Sequence, residues 1–253
     1  MQILGIDIGS SAIKGCVADC KTGVLTGGHF RIPTPADTSP HKLLAKVYKL
    51  VSHFKWQGPV GFCLPEPVRN GVVVRSLHFS PQWADVNAAA LFEEMTDCPV
   101  AVINDADAAG LAEVQFGCAR NVPGIVILLT VGTGIGSAVF VNGQLLPNTE
   151  LGFIPMEEGL TAAELASVKT KHDEGLKRKK WAKRLEDVLQ KYEEIFHPDL
   201  FVISGSLSHK AGKTFQYIDI RTPLKPAHFL NNAGILGAAL HAGNSIPLPE
   251  THS

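Results

Sequence analysis

The sequence predicts an α/β protein made of two similar lobes, each with its own sheet, and a cleft between them. Three observations predict this class. A glycine-rich strand–turn–strand segment opens each half of the chain, each half continues with an amphipathic helix and a buried apolar strand, and the two glycine segments can be aligned. With 253 residues, 45% of them hydrophobic, the chain can fill one large core or two smaller ones.

In the first half, hydrophobic periodicity predicts the order of the elements. A helix has the clearest signal, because apolar residues recur at helical spacing near positions 41–54: Leu43, Leu44, Val47, Leu50, Val51 and Phe54. The predicted elements are two or three strands over 3–28, this helix, strands at 59–64 and 71–77, a short helix at 84–95, and a strand at 100–103 that leads into an alanine-rich helix.

The second half repeats this plan. Residues 124–146 predict a strand, a glycine turn, a strand, an Asn-Gly turn and a third strand. A helix with one apolar face follows at 180–196, then a buried strand at 200–205 and a small-residue helix at 231–243.

The two halves align at their glycine turns. Residues 6–19 match residues 129–142, with Gly9 over Gly132, which indicates an internal duplication; the alternative is a chance similarity of two β-hairpins. We expect an N-terminal lobe over 1–104, closed by a C-terminal helix within 229–253, and a C-terminal lobe over 105–228.

Composition excludes several classes of function. The net charge of −1 does not favour nucleic acid or a membrane surface, and the longest apolar run, 124–129, is too short to span a bilayer. The five cysteines have no CxxC spacing, so we expect reduced thiols and no structural zinc. The first residues enter a strand pattern without a signal sequence, and we expect a cytoplasmic protein.

The stretch VGTGIGS at 131–137 is a candidate phosphate-binding turn. Gly132, Gly134 and Gly136 allow backbone N–H groups to face an anion, and Thr133 and Ser137 add hydroxyl donors. A tight hairpin turn is the alternative. β-Branched residues continue after the turn, so the stretch is neither a P-loop nor a strand-to-helix dinucleotide motif.

The matching turn is DIGSSAIKG at 7–15. Asp7, at a strand end, is a candidate for holding Mg²⁺, through water, or is simply a turn residue. Gly9, Ser10, Ser11 and Lys14 are candidates for binding phosphate. Together with the second glycine turn, this segment resembles a clamp on a phosphate chain.

Asn104 and Asp105 lie where a predicted strand meets a helix, the usual place for ligands in open α/β sheets. Asp105 is suited to accept a proton from an alcohol that attacks phosphorus, or alternatively to cap the helix. Asp107 has no role beyond supporting the first helical turn. Glu150 is a candidate for binding vicinal hydroxyls, or is a solvated loop residue.

Residues 169–184 carry eight lysines and arginines. Such a run can guide a polyanion, but it is more often the solvated face of a helix.

These motifs resemble the ROK family of sugar kinases, within the actin-like ATPase (ribonuclease H-like) superfamily, and most of all its polyphosphate glucokinase branch. The resemblance spans nearly the whole chain and is most specific from Asn104 to Gly152. It rests on GIDIGSSAIKG, NDADAAGLAEVQFG, LTVGTGIGSAVFVNGQLLPNTELG, WAKRL, PDLFVISG, RTPL and LNNAGILGAA.

The resemblance implies a role for each matching residue. Asp105 would be the base that takes the proton from the primary hydroxyl of the sugar, and Asn104 and Glu150 would hold ring hydroxyls. Asp7 would hold, through water, the Mg²⁺ that accompanies the donor phosphates. The two glycine turns and Gly205 would bind the donor, polyphosphate and/or ATP. The implied product is a hexose 6-phosphate, and the implied assembly is a homodimer without structural zinc.

Several residues depart from the family pattern. Ser10 and Ala12 replace glycines of the first turn, Glu66 replaces a glycine beside the expected sugar site, Phe153 replaces a histidine that contacts the sugar, and Ser204 and Ser206 flank Gly205 where three glycines are usual. Glu66 and Phe153 are nevertheless candidates for binding the substrate. We therefore expect a working kinase with weakened or shifted sugar preference.

Three other functions compete with this expectation. One is an ATP-only kinase for another hydroxylated substrate, which Glu66 and Phe153 favour. Another is a non-catalytic relative, against which the intact Asn104–Asp105 pair argues. A sugar-sensing repressor is disfavoured, because the chain starts on the first glycine-turn strand, without a DNA-binding module or a basic charge.

Overall fold

The computed structural model describes residues 1–205, 207 and 211–246; Ser206 and the end of the predicted C-terminal segment lie outside these residues. The chain divides into two compact units, Met1–Ala112 with the stretch from Asn232 onward, and Glu113–Asn231. The strands are β1 (Gln2–Ile8), β2 (Ala12–Asp19), β3 (Val24–Pro33), β4 (Val60–Leu64), β5 (Val68–Arg69), β6 (Val72–Val73), β7 (Val100–Asn104), β8 (Ile125–Val131), β9 (Ile135–Val141), β10 (Gln144–Leu146), β11 (Leu200–Gly205) and β12 (Leu224–Pro226). The helices are α1 (Pro40–Phe54), α2 (Ala88–Thr96), α3 (Asp105–Phe116), α4 (Ala162–Ala166), α5 (Val168–Asp173), α6 (Arg178–Phe196), α7 (Ala211–Phe215) and α8 (Ala233–Ser245).

Each unit is built on a five-stranded sheet, and the two sheets have the same strand order. The order is β3-β2-β1-β4-β7 in the first unit and β10-β9-β8-β11-β12 in the second. In both sheets the first three strands along the chain pair antiparallel. The last two strands then pair in parallel, the fourth with the first and the fifth with the fourth. The repeat that the glycine turns predict is therefore present in the topology.

The amphipathic helices pack as their periodicity predicts. In α1, Leu43, Val47, Leu50 and Val51 are buried in the first unit's core. In α6, the buried face includes Trp181, Leu185, Val188, Leu189 and Tyr192, in the second unit's core. No helix among residues 1–205, 207 and 211–246 combines the length and apolarity needed to cross a membrane.

The segment 71–85 differs from its sequence prediction. Only Val72–Val73 of the predicted strand 71–77 pairs as a strand. At the end of that segment the N–H group of Leu77, followed by those of His78 and Phe79, donates to the Glu66 carboxylate and not to a neighbouring strand. The predicted helix 84–95 begins later, at Ala88. Asp85 has a left-handed φ of 62°, and the Asn87 side chain caps the helix by accepting from Ala90 N at 3.0 Å.

Helix α8 lies directly on the backbone of the first unit's sheet. A Cβ atom added at Gly5 or Gly61 would lie 2.0 or 1.9 Å from a carbonyl oxygen of α8. A Cβ atom at Gly237 would lie 1.7 Å from the Ala108 oxygen of α3. Glycine is therefore required at Gly5 and Gly61 for the close packing of α8 on the strands that end at the candidate site, and at Gly237 for its packing on α3.

Replacing Gly61 with alanine should destabilise the protein by about 3 kcal/mol, because its Cβ would overlap the backbone of α8. The control is Gly28→Ala, since a Cβ there meets nothing within 4 Å. We expect the control to change stability by less than about 0.5 kcal/mol. Urea unfolding midpoints test this, and equal midpoints for the two variants would contradict the close approach of α8 to Gly61.

Candidate active site

The carboxyl edge of the first unit's parallel strands gathers several of the predicted site residues. Asp7 lies near the end of β1, opposite Cys63 in β4, and Leu64 at the end of β4 lies opposite Asn104 in β7. Asp105 is the first residue of α3. Open α/β sheets bind ligands at this edge, so the topology brings these residues to a position suited to chemistry.

Asn104 caps helix α3. Its Oδ1 accepts hydrogen bonds from Ala106 N at 2.8 Å and Asp107 N at 3.1 Å, and its Nδ2 donates to the Glu66 carbonyl oxygen at 3.2 Å. The sequence alone allows two roles for Asp105, a general base or a helix cap. Since Asn104 performs the capping, the carboxylate of Asp105 is not required for it.

Asp105 is half-buried at the first position of α3. The helix dipole favours a negative charge there, which helps to keep a carboxylate anionic and able to accept a proton.

Asp7 is held by a cation and lies close to the start of α8. Its Oδ2 accepts from Lys14 Nζ at 2.9 Å, across the β1–β2 hairpin. A Cβ added at Gly234, in the first turn of α8, would lie 3.1 Å from Asp7 Cγ. Lys14, a candidate for binding phosphate, is therefore an ion-pair partner of Asp7.

Cys63 lies beside Asp7 at the same edge of the sheet, a position that sequence reasoning missed. Its Sγ donates to Asp7 Oδ1 at 3.7 Å and to the Gly234 oxygen at 3.5 Å. Burial, and then the negative charges of Asp7 and Asp105, raise the pKa of this thiol well above its usual value. The thiol therefore stays neutral.

Glu66 differs from its predicted role in binding sugar. Its side chain is fully buried, and its carboxylate accepts from Leu77 N at 2.5 Å, His78 N at 2.8 Å and Phe79 N at 2.6 Å. The Ser76 hydroxyl donates to it at 3.4 Å. Consecutive N–H groups that turn toward one carboxylate satisfy its charge, so the side chain organises the 76–79 loop.

The first glycine turn is fixed by backbone bonds and by one threonine. Gly9 N donates to the Ala12 oxygen at 3.0 Å, and Thr34 Oγ1 donates to the Gly9 oxygen at 2.6 Å. Ser10 and Ser11 are exposed at its tip. This arrangement leaves two hydroxyl groups accessible to a ligand.

The second glycine turn lies at the end of β8. Thr133 is exposed, and a Cβ atom added at Gly132 or Gly134 meets nothing within 4 Å, so the space beside this turn is open. Gly136 follows within β9.

Gly205 pairs with Val131 at the end of β11, with a left-handed φ of 82°. A Cβ there would lie 2.7 Å from the Val131 oxygen, so glycine is required beside the turn.

Ser137 differs from its predicted role as a phosphate ligand. Its hydroxyl is buried, donates to the Thr149 oxygen and accepts from Leu151 N at 3.0 Å. Tyr192 Oη donates to the Leu151 oxygen at 2.8 Å. The bonds of Ser137 tie the loop that carries the candidate sugar ligand Glu150 to β9, and the bond of Tyr192 ties it to α6. Glu150 itself is half-buried.

Phe153 ends the same loop and is 50% exposed. A Cβ added at Gly152 would lie 2.1 Å from the Ile135 oxygen, so the loop packs directly on β9. An exposed aromatic ring next to Glu150 is suited to stacking on an apolar face of a ligand but not to hydrogen bonding.

Comparisons with known proteins identify the family of this chain. The model of the ROK family matches residues 3–161. The polyphosphate glucokinase of Mycobacterium tuberculosis (strain CDC 1551 / Oshkosh) is 42% identical over 237 residues, which cover 93% of this chain and 89% of the relative. The polyphosphate glucokinase of Mycobacterium leprae (strain TN) is 39% identical, over 93% of this chain and 73% of the relative.

A solved structure extends the likeness to the whole fold. The inorganic polyphosphate/ATP-glucomannokinase from Arthrobacter sp. strain KM superposes with a TM-score of 0.92 at 36% identity, covering 96% of this chain and 98% of that one. This confirms the fold class that the sequence predicts. The chain belongs to the ROK family and has the actin-like ATPase fold of that family's sugar kinases.

Proposed function

We propose that this protein is a sugar kinase that transfers a phosphoryl group from polyphosphate, ATP or both to the 6-hydroxyl of glucose or a similar hexose. The observation that carries the proposal is the position of Asp105, placed at the carboxyl edge of the sheet by a helix that Asn104 caps. The names of the Mycobacterium and Arthrobacter relatives supply the donor and acceptor classes.

In this mechanism Asp105 is the general base. Its carboxylate accepts the proton of the sugar hydroxyl as that oxygen forms a bond to phosphorus, and the bond from phosphorus to the leaving phosphate oxygen breaks. Asn104 and Glu150 bind ring hydroxyls. The amide of Asn104 keeps one N–H available, because its other N–H donates to Glu66.

The donor phosphates bind the glycine turns. Exposed hydroxyls at Ser10, Ser11 and Thr133, and backbone N–H groups near Gly132 and Gly134, are suited to the charge that develops on the transferred group.

Asp7 is the residue suited to Mg²⁺. Mg²⁺ is commonly held by one or two carboxylates together with substrate phosphates and water, and no group of three or more acidic, histidine or cysteine ligands occurs in the described part of the chain. A single carboxylate beside the donor phosphates fits that pattern. Bound through water to Asp7, Mg²⁺ would neutralise donor charge.

We also propose a cytoplasmic homodimer. The five cysteines are free thiols, which suits a reducing compartment, and the family resemblance implies the dimer.

A second candidate function is ATP-dependent phosphorylation of a different hydroxylated substrate. The exposed ring of Phe153 favours it, since a phenyl ring offers no hydrogen bond to a sugar hydroxyl. A matrix of donors against acceptors decides between the two candidates, and a clear preference for a non-glucose acceptor would favour the second.

Asp105→Asn should lower kcat by about 10²- to 10⁴-fold, because the amide cannot accept the hydroxyl proton. The control is Asp97→Asn, the same chemical change at an exposed residue with a left-handed φ of 53° that asparagine tolerates. Steady-state kinetics with glucose as the acceptor measure kcat for both variants. Parental activity in Asp105→Asn would refute the assigned base.

Glu66→Gln should lower stability by about 1.5–3 kcal/mol, because a neutral amide replaces a carboxylate that backbone N–H groups surround. We also expect a higher KM for the sugar, since the backbone of Glu66 holds the Asn104 amide. Exposed Glu94→Gln is the control for the urea midpoints and the KM. Unchanged values in Glu66→Gln would contradict the positioning role.

Phe153→His should lower the KM for glucose about fivefold, because one added hydrogen bond contributes about 1 kcal/mol. Phe153→Leu, which removes the ring without adding a donor, separates bonding from stacking. The sugar panel is repeated with each variant, and a glucose KM that histidine leaves unchanged would place residue 153 away from the sugar.

A further inference from the structure

The carboxylate of Asp7 is held by two donors of different kinds, one on each oxygen. Its Oδ2 accepts from Lys14 Nζ at 2.9 Å, and its Oδ1 accepts from Cys63 Sγ at 3.7 Å. The strand register builds in both contacts, because Asp7 is the antiparallel partner of Lys14 and the parallel partner of Cys63. Aspartate side chains rotate broadly about χ2, so these two donors decide how the plane of the carboxylate is turned.

The fold holds the two donors with different firmness. Lys14 has a long flexible side chain that is 30% exposed, whereas the side chain of Cys63 is fully buried. A Cβ added at Gly234, in the first turn of α8, would lie 3.3 Å from Cys63 Sγ and 3.1 Å from Asp7 Cγ, so α8 encloses the contact on a further side. The ammonium group of Lys14 can therefore turn away from Asp7, and the thiol cannot.

This difference matters when the phosphoryl donor binds. In the proposed function Lys14 binds donor phosphate, and an ammonium group that turns to phosphate leaves Oδ2 of Asp7. Among the side chains that the structure describes, the thiol of Cys63 is then the one that still bonds the carboxylate. An S–H group is a weak hydrogen-bond donor, so it orients Oδ1 and leaves most of the negative charge available to the water shell of Mg²⁺.

We propose that Cys63 is a positioning residue, whose S–H group holds the plane of the Asp7 carboxylate while Lys14 binds donor phosphate, and so sets how tightly Mg²⁺ binds with the donor. The proposal rests on the proposed function, in which Asp7 holds Mg²⁺ through water. A side chain that is held in its working orientation before the ligand arrives loses less freedom on binding. Without the thiol, part of the binding free energy is used to order the carboxylate.

Cys63→Ala should raise the Mg²⁺ concentration for half-maximal activity about fivefold, because one weak hydrogen bond to a charged group is lost. The KM for glucose should change by less than about twofold, because the proposed sugar ligands Asn104 and Glu150 are not altered. Cys63→Ser keeps a donor at the same position and should bring the Mg²⁺ requirement to within about twofold of the parent. The control is Cys98→Ala, which truncates another buried thiol of the first unit and should leave the Mg²⁺ requirement unchanged.

Infrared spectroscopy of the S–H stretch tests the contact without turnover. The band of Cys63 is the one that disappears in Cys63→Ser. A carboxylate draws the S–H proton more strongly than a neutral amide does, so Asp7→Asn should move this band to higher frequency, and the control Asp97→Asn should leave it in place. Adding Mg²⁺ and tripolyphosphate to the parent should also shift the band, since the charges around the carboxylate change.

A band that Asp7→Asn leaves in place would overturn the proposal, because the thiol would then donate to the Gly234 oxygen, which lies 3.5 Å from Sγ. If Asp7→Asn fails to fold, the parent still decides, since a band that Mg²⁺ and tripolyphosphate do not shift would also overturn it. Equal Mg²⁺ requirements in the parent and Cys63→Ala would refute the positioning role while glucose phosphorylation stands. A parent that phosphorylates no sugar, yet shows both band shifts, supports the role of Cys63 while the proposed function fails.

Discussion

The amide of Asn104 joins three parts of the first unit. Its oxygen caps α3, and its nitrogen bonds the backbone of Glu66, whose carboxylate gathers the N–H groups of residues 77–79. A helix cap is worth about 1 kcal/mol by itself. Here the same side chain also fixes the direction in which α3 leaves the sheet, and therefore where Asp105 lies. The position of the proposed base depends on this one buried polar contact.

The second unit uses the same kind of contact for a different purpose. The buried hydroxyl of Ser137 bonds the backbone on both sides of Glu150, and Tyr192 holds the next carbonyl along the chain. In each unit, a short polar side chain at or near a strand end ties a ligand-bearing segment to the sheet. Side chains held by packing and hydrogen bonds lose little freedom when a ligand arrives, which favours the rigid presentation that catalysis requires.

The sequence predicts the order of the elements along the chain and the repeat well, because both depend on local periodicity and on glycine turns. It does not predict the roles of Glu66 or Ser137, because their partners lie 11–13 and 12–14 residues away in the chain. The pattern of residues 71–77 is apolar enough for a strand and cannot show that a carboxylate competes for the same N–H groups. For Ser137 a signal was present. It alternates with Ile135 and Val139, so it shares their buried face.

The two units differ in the chemistry that each carries. The carboxylates of the proposed proton transfer and Mg²⁺ site are in the first unit, whose glycine turn has Cβ atoms at Ser10 and Ala12 that narrow the space for phosphate. The second unit has the open turn at Gly132 and Gly134, and the backbone of Lys169, at the start of the basic segment, bonds to that turn. In the proposed mechanism both glycine turns bind the donor, whereas the proton transfer uses only Asp105 of the first unit. The residues proposed to bind the donor and the proposed base are therefore different, so donor preference can change while the base stays in place.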